Sequence, residues 1–158
     1  LHIIHFDAHT DLRDEYLGEK LSHANVIRRV WDLVGDGRIH QFGIRSGTRE
    51  EFEWADSGHT KLHRYTTKGI EETVKELSGV PVYVTIDLDV LDPSIFPGTG
   101  TPEAGGVSFM ELENALIALS GLDIKAADVV ELSPHYDTSG VSTAVACKVL
   151  RELLLVMG

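Results

Sequence analysis

Cysteine is almost absent. Cys147 is the only one in the chain, so no internal disulfide framework exists and a thiolate-built metal site is excluded. Cys147 itself falls in the last amphipathic stretch and reads as a small buried residue. Long apolar runs are missing as well, and no secretory leader is evident. The expected setting is therefore cytoplasmic, without a membrane partner. Basic residues are scarce: 14 Lys and Arg stand against 25 Asp and Glu, giving a formal charge of -11 at pH 7. A phosphate-backbone binder needs a basic face, so nucleic acid is not an expected partner. The acidity does not by itself imply a cationic ligand, because bound divalent metals would cancel part of it locally. No repeat, linker or low-complexity segment divides the chain, and residues 1–158 read as a single domain. An initiating Met is also missing. Leu1 leads directly into the strand-like run His2-Ile3-Ile4-His5-Phe6, so the expectation is a chain missing an N-terminal portion.

What is present alternates. Strand-like apolar runs fall at 2–6, 38–44, 61–65, 80–86 and 126–132. Amphipathic helical stretches fall between and after them, at 23–34, 49–55, 69–77, 108–119 and 142–156. Ser108, followed three residues later by Glu111, predicts a capping box at the start of the fourth helix. Strand-helix alternation implies βαβ units, and hence an α/β fold: a three-layer αβα sandwich with a mostly parallel sheet. Ligands of such sheets bind beyond the carboxyl ends of the strands. Asp7, His9 and Asp11 follow the first run, Asp87 and Asp89 end the fourth, and Glu131 ends the fifth. Acids far apart in sequence are thus delivered to one edge.

Asp7-Ala8-His9-Thr10-Asp11 alternates, so in extended geometry its three ligand-type side chains share one side. Asp87-Leu88-Asp89 repeats the device. Four carboxylates at one place repel strongly, and divalent cations relieve that repulsion. Carboxylates with some imidazole and no thiolate suit Mn²⁺ better than a structural Zn²⁺. The number of acids suits two ions, separated by roughly 3.5–4 Å. Taken singly, an Asp-x-Asp after a strand also serves as a turn or cap, and Asp-Ala-His-Thr-Asp also reads as a capped loop. Their joint occurrence at one edge favours metal. An EF-hand fails, since Asp92 stands where that loop needs Gly. A nucleotide-sugar transferase would leave the first cluster unexplained. A binuclear phosphoesterase would need a Gly-Asn-His-type block that is absent, and a deacetylase fits the two-metal acid set poorly.

The ordered blocks HFDAHTDLRDEY, SHANVIRRV, FGIRSG, VYVTIDLDVLDPSIFPGTGTPEAGG and ADVVELSPHYD together resemble the ureohydrolase (arginase/agmatinase) family, across essentially the whole chain. The resemblance implies two Mn²⁺ ions and hydrolysis of a guanidino group to urea and an amine. It implies bridging ligand roles for Asp7 and Asp87, with Asp11 completing one metal site and His9 and Asp89 the other. Asp11 would also orient the attacking water and carry its proton. His23, in Ser22-His23-Ala24, would shuttle protons at the mouth, and Glu131 would hold the guanidinium. The family's further His ligand lies in a Gly-Gly-x-His block, which this chain does not contain; neither His2 nor His5 stands in that context.

The family's members divide by substrate. This chain has Arg13 where arginases typically carry Asn, and Ser46-Gly47-Thr48 where arginases carry Asp residues for the α-amino group. With the loop Pro97-Gly98-Thr99-Gly100-Thr101-Pro102, these departures point to agmatine, hydrolysed to putrescine and urea in polyamine biosynthesis. Guanidinobutyrate, guanidinopropionate, formiminoglutamate and arginine stay open as substrates, as does a non-catalytic ureohydrolase-like subunit. A homo-trimer or hexamer is implied by the same resemblance. Arg45 reads as a structural ion-pair partner as readily as anything else, and His135, Tyr136 and Asp137 as pocket or ordinary loop residues. No catalytic role is expected for His40, His59 or His63.

Overall fold

A computed structural model describes residues 1–158. The element order is β1 (His2–Phe6), α1 (Val26–Val34), β2 (Ile39–Ile44), α2 (Arg49–Trp54), β3 (Lys61–Arg64), α3 (Ile70–Glu76), β4 (Pro81–Asp87), α4 (Phe109–Ala118), β5 (Asp123–Val130) and α5 (Val141–Met157). The strands form one five-stranded sheet in the order β3-β2-β1-β4-β5, and every pairing is parallel. Central parallel strands are covered on both faces, and β1 and β2 are buried along nearly their whole length, polar residues included.

Ile4, Phe6, Phe42, Val84 and Ile86 face one side of the sheet, where they pack with Leu112, Leu116, Ala146, Val149 and Leu153 of α4 and α5. Ile3 and Ile39 face the other side and pack with Ile27 of α1 and Ala55. The result is the expected three-layer αβα arrangement. Each fully buried Phe, Ile or Leu contributes roughly 1.5–3 kcal/mol. No helix is long and apolar enough to cross a membrane.

From β1 the chain builds outward through β2 and β3, then returns to the opposite side of β1 with β4. The order therefore reverses between β1 and β4, and a crevice opens at the carboxyl ends of those two strands. Asp7 and Asp87 stand there.

Most boundaries shift by a single residue from the sequence reading, and the larger departures fall at β5 and the first helix. β5 begins at Asp123 and ends at Val130 instead of running 126–132, because Glu131 turns the chain away at φ +66°. The first helical stretch opens as a 3-10 turn, His23–Asn25, before α1 begins. Buried Asn25 donates from Nδ2 to the Arg13 carbonyl at 2.7 Å, tying that turn to the loop after β1. Cys147 is exposed, not buried. Ala146, Val149 and Leu153 form the inward stripe of α5, and Cys147 lies one residue off it. The Ser108–Glu111 capping box at α4 is present as read from the sequence.

Candidate metal centre

The loop after β1 stays extended because it remains paired beyond the strand. Thr10 N donates to Ser46 O at 3.1 Å, while Arg45 N and Ser46 N both donate to Ala8 O, at 2.8 and 2.9 Å. Extended backbone alternates its side chains, so His5, Asp7 and His9 project to one side, while Asp11, at φ +54°, turns its carboxylate back beside His5 and Asp7. Gly43 permits this closeness. At its φ of +87° a Cβ would stand 2.4 Å from Val90 Cγ2 and 3.1 Å from the Asp7 carbonyl oxygen.

Two groups of potential ligand atoms result, each with its members within 4.8 Å of one another: His5, Asp7 and Asp11, and Asp7, His9 and Asp89. Asp7 belongs to both. Its Oδ2 lies 2.8 Å from His5 Nε2, and its Oδ1 accepts from the His9 backbone N at 2.6 Å. His9 Nδ1 sits 3.3 Å from Asp7 Oδ1 and 3.1 Å from Asp89 Oδ2. Ala8 N donates to Asp89 Oδ1 at 3.1 Å, bringing the loop after β4 against the loop after β1. Asp87 belongs to neither tight group, yet it lines the same cleft, with Oδ1 accepting from Asp89 N at 2.9 Å.

The electrostatics are those of a crowded carboxylate nest. Burial, then repulsion from Asp7 and Asp89, pushes the Asp87 carboxyl up to about 11. Burial and Asp7 likewise push Asp11 up to about 7. Burial would raise Asp7 too, but His5 and His9 overcome it and hold Asp7 well below the usual carboxylate range. Burial opposes charge on His9, yet hydrogen bonds to Asp7 and Asp89 carry it up to about 11. At His5 the same contest again ends with the pKa above its ordinary value, through Asp7, Asp11 and Asp89. Without cations the nest holds its acids together only through protons on the imidazoles and the raised carboxyls, and divalent cations would take the place of those protons. Oxygen donors with imidazole and no sulfur suit a hard-to-borderline cation. The residues present therefore fit a metal centre.

The cleft has a volume of about 730 Å³, and Glu131 and His23 also line it. Glu131 and Asp11 are both non-glycine residues at positive φ, +66° and +54°. Such backbone strain concentrates at functional sites, at about 1–3 kcal/mol per residue. His23 sits on the 3-10 turn before α1, edge-on to Tyr16 at 5.3 Å between ring centroids. It lies at the rim and not among the carboxylates. His135 and Tyr136, their rings tilted against each other with centroids 4.2 Å apart, are exposed and do not line the cleft. Asp137 accepts from Ser139 N and Ser142 N and serves the turn before α5.

Sequence reasoning passed over His5, Thr10 and Asp128, all of which line the cleft. For His5 the signal was available: carrying the alternation of Asp7, His9 and Asp11 two residues back reaches it. Arg45 proves to be no ion-pair partner. Its guanidinium donates to carbonyl oxygens, Asp89 O at 2.7 Å, Glu103 O at 2.8 Å, Gly43 O at 3.1 Å and Val90 O at 3.2 Å. It thereby clamps the turn that carries Asp89 against β2. Arg45→Met should destabilise the chain by about 2–4 kcal/mol, as carbonyls lose charge-assisted donors. Denaturant unfolding monitors this; a change within about 0.5 kcal/mol would refute the clamp.

The same chain can be compared with known proteins. The sequence profile of the arginase family matches residues 1–156. The agmatinase of Bacillus cereus is 49% identical over 158 residues, covering 98% of this chain and 54% of its own length. The guanidinobutyrase of Pseudomonas aeruginosa is 34% identical, covering 98% and 52%. Among solved structures, an agmatinase candidate from Clostridium difficile superposes with a TM-score of 0.95 at 55% identity, covering 99% of this chain and 58% of its own. The chain thus spans about half the length of the curated relatives it matches. A fully parallel αβα sheet with carboxylates gathered at its switch point and a profile match over nearly every residue lead to one assignment: the chain belongs to the arginase family.

Proposed function

We propose that residues 1–158 carry most of the catalytic domain of a binuclear manganese ureohydrolase acting on agmatine to release putrescine and urea. The observation that carries this reading is Asp7. One carboxylate is shared by two ligand groups, in a cleft where the remaining acids repel one another. In it Asp7, His9, Asp11, Asp87 and Asp89 would hold the cations, with Asp7 common to both ligand groups.

A guanidinium is a poor electrophile, positively charged and stabilised by resonance. Two bound divalent cations supply Lewis-acid charge that brings the pKa of a water near 7. The protein's own groups do the rest. Asp11 orients the nucleophile and passes its proton to the departing nitrogen. Glu131, a planar acceptor, holds the guanidinium through paired charge-assisted hydrogen bonds. His23, at the rim, passes protons between the cleft and solvent. A small cationic substrate in a cytoplasmic homo-trimer or hexamer completes the reading.

A second reading, hydrolysis of a guanidino acid, is favoured by Arg13. Its guanidinium lines the cleft and lies 4.8 Å over the Tyr16 ring, where it suits a carboxylate tail. Glu51 Oε2, 3.5 Å from Arg13 Nε, offsets much of that charge, so agmatine stands first. Urea release measured with Mn²⁺ across agmatine, guanidinobutyrate and arginine separates the readings. Agmatine should be preferred, Asp89→Ala should lower turnover by about 10²-fold or more, and no urea from any substrate would sink the proposal.

A further inference from the structure

One pleat before the carboxylates, the sheet carries a second polar row. Gln41 on β2, His5 on β1, Thr85 on β4 and Asp128 on β5 are successive Cα partners, so their side chains share the face that bears Asp7 and Asp87. Gln41 is 0% and His5 2% exposed. Polar side chains in the middle of a parallel sheet cost free energy unless they are hydrogen-bonded. The preceding position on the same two strands holds Ile3 beside Ile39, which pack without that demand.

The hydrogen-bond directions in this pair are fixed from outside. Gln41 Nε2 donates to the Thr10 carbonyl at 2.9 Å and stands 3.1 Å from His5 Nδ1. A carbonyl only accepts, so it holds the amide nitrogen in place. Turning the amide over would set its oxygen against Thr10 O, and the present orientation leaves only Gln41 Oε1 without a partner. His5 Nδ1 therefore accepts, the ring proton sits on Nε2, and Nε2 donates to Asp7 Oδ2 at 2.8 Å.

We infer that Gln41 and His5 are positioning residues. Gln41 sets the tautomer of His5, and His5 fixes the free oxygen of Asp7, so the shared carboxylate is held in one plane between the two ligand groups. The inference rests on the metal reading of the site and deepens it. Asp7 Oδ1 is already held by His9 N at 2.6 Å. With Oδ2 released, the carboxyl torsion is broad and roughly two-fold, and the shared ligand loses its orientation. His5 lies within ligand range of Asp7 and Asp11, but a ligand role would need a free lone pair on Nε2, which the Gln41 amide denies it.

Calorimetric titration of the chelator-treated full chain with Mn²⁺ reads stoichiometry and Kd without recourse to activity. His5→Ala and Gln41→Met should each weaken Mn²⁺ binding by about 10–100-fold with the stoichiometry unchanged. His5→Gln, which restores a donor toward Asp7, should recover most of the affinity. Gln41→Met keeps the size of the side chain and loses only the amide, so it tests the relay even if His5→Ala folds poorly. Loss of one bound cation in His5→Ala, with Gln41→Met like the unsubstituted chain, would make His5 a ligand and overturn the inference. So would affinities unchanged in all three variants. If the unsubstituted chain itself bound no Mn²⁺, the metal reading would fall first, and that failure is visible before any variant is made.

Discussion

Asp11→Asn is expected to abolish cation-dependent urea release while making the cation-free chain more stable at neutral pH. The loss of activity, of order 10²–10⁴-fold, follows from removing a proposed ligand that is also the proposed proton carrier. The gain in stability follows from the pKa of Asp11, which burial and Asp7 raise from 3.8 to about 7. A carboxyl whose folded pKa lies above its unfolded value contributes its full stability below pH 4 and loses it as the pH climbs through 7. The gap between 3.8 and about 7 corresponds to as much as about 4 kcal/mol. Asn cannot ionise, and it tolerates the left-handed φ of +54° found at this position. Chelator-treated chain should therefore lose stability between pH 4 and 7, and Asp11→Asn should lose less. Adding Mn²⁺ should stabilise the unsubstituted chain most and reverse the ranking. Denaturant unfolding at pH 4, 6 and 8, with and without Mn²⁺, tests all three statements. A variant no more stable than its parent at pH 8 without cation would contradict the account of the carboxylate nest.

The sequence carried the layers and the edge at which the acids meet, because both depend on periodicity and strand order. Alternation placed Asp7, His9 and Asp11 on one side, and the structure brings them together with Asp89. Periodicity cannot see the contacts between segments distant in sequence. Glu131 at the end of β5 was legible as an acid, but its positive φ, which ends the strand two residues early, was not. Arg45 looked like half of an ion pair, since sequence shows charges and hides backbone carbonyls. Cys147 was misplaced by a single residue of helical phase, enough to turn it out of the core. His5 was set aside because it does not stand in a Gly-Gly-x-His context, although its position two residues before Asp7 put it on the same face.

Glu51 joins the two halves of this account, and its replacement should have the largest effect on the fold. It is only 5% exposed, and it accepts from Thr10 Oγ1 at 2.7 Å, Leu12 N at 2.9 Å and Thr48 N at 2.7 Å. Thr48 N closes the capping box of α2, whereas Thr10 and Leu12 flank Asp11. One carboxylate thus rivets the start of a helix to the loop that bears the candidate ligands. Glu51→Ala would strand two buried donors and one half-buried one, at about 1–3 kcal/mol each, so a loss of roughly 3–6 kcal/mol is expected in denaturant unfolding. Glu51→Gln is the sharper probe. Every group around Glu51 is a donor, including the Arg13 guanidinium 3.5 Å away. An amide at residue 51 would have to turn its own N–H groups toward one of them. It should therefore cost about 1–3 kcal/mol despite its matching shape, and it should also weaken Mn²⁺ binding, because the loop around Asp11 loses its anchor. A Glu51→Gln variant within about 0.5 kcal/mol of its parent, binding Mn²⁺ unchanged, would mean that packing and not the carboxylate holds this loop in place.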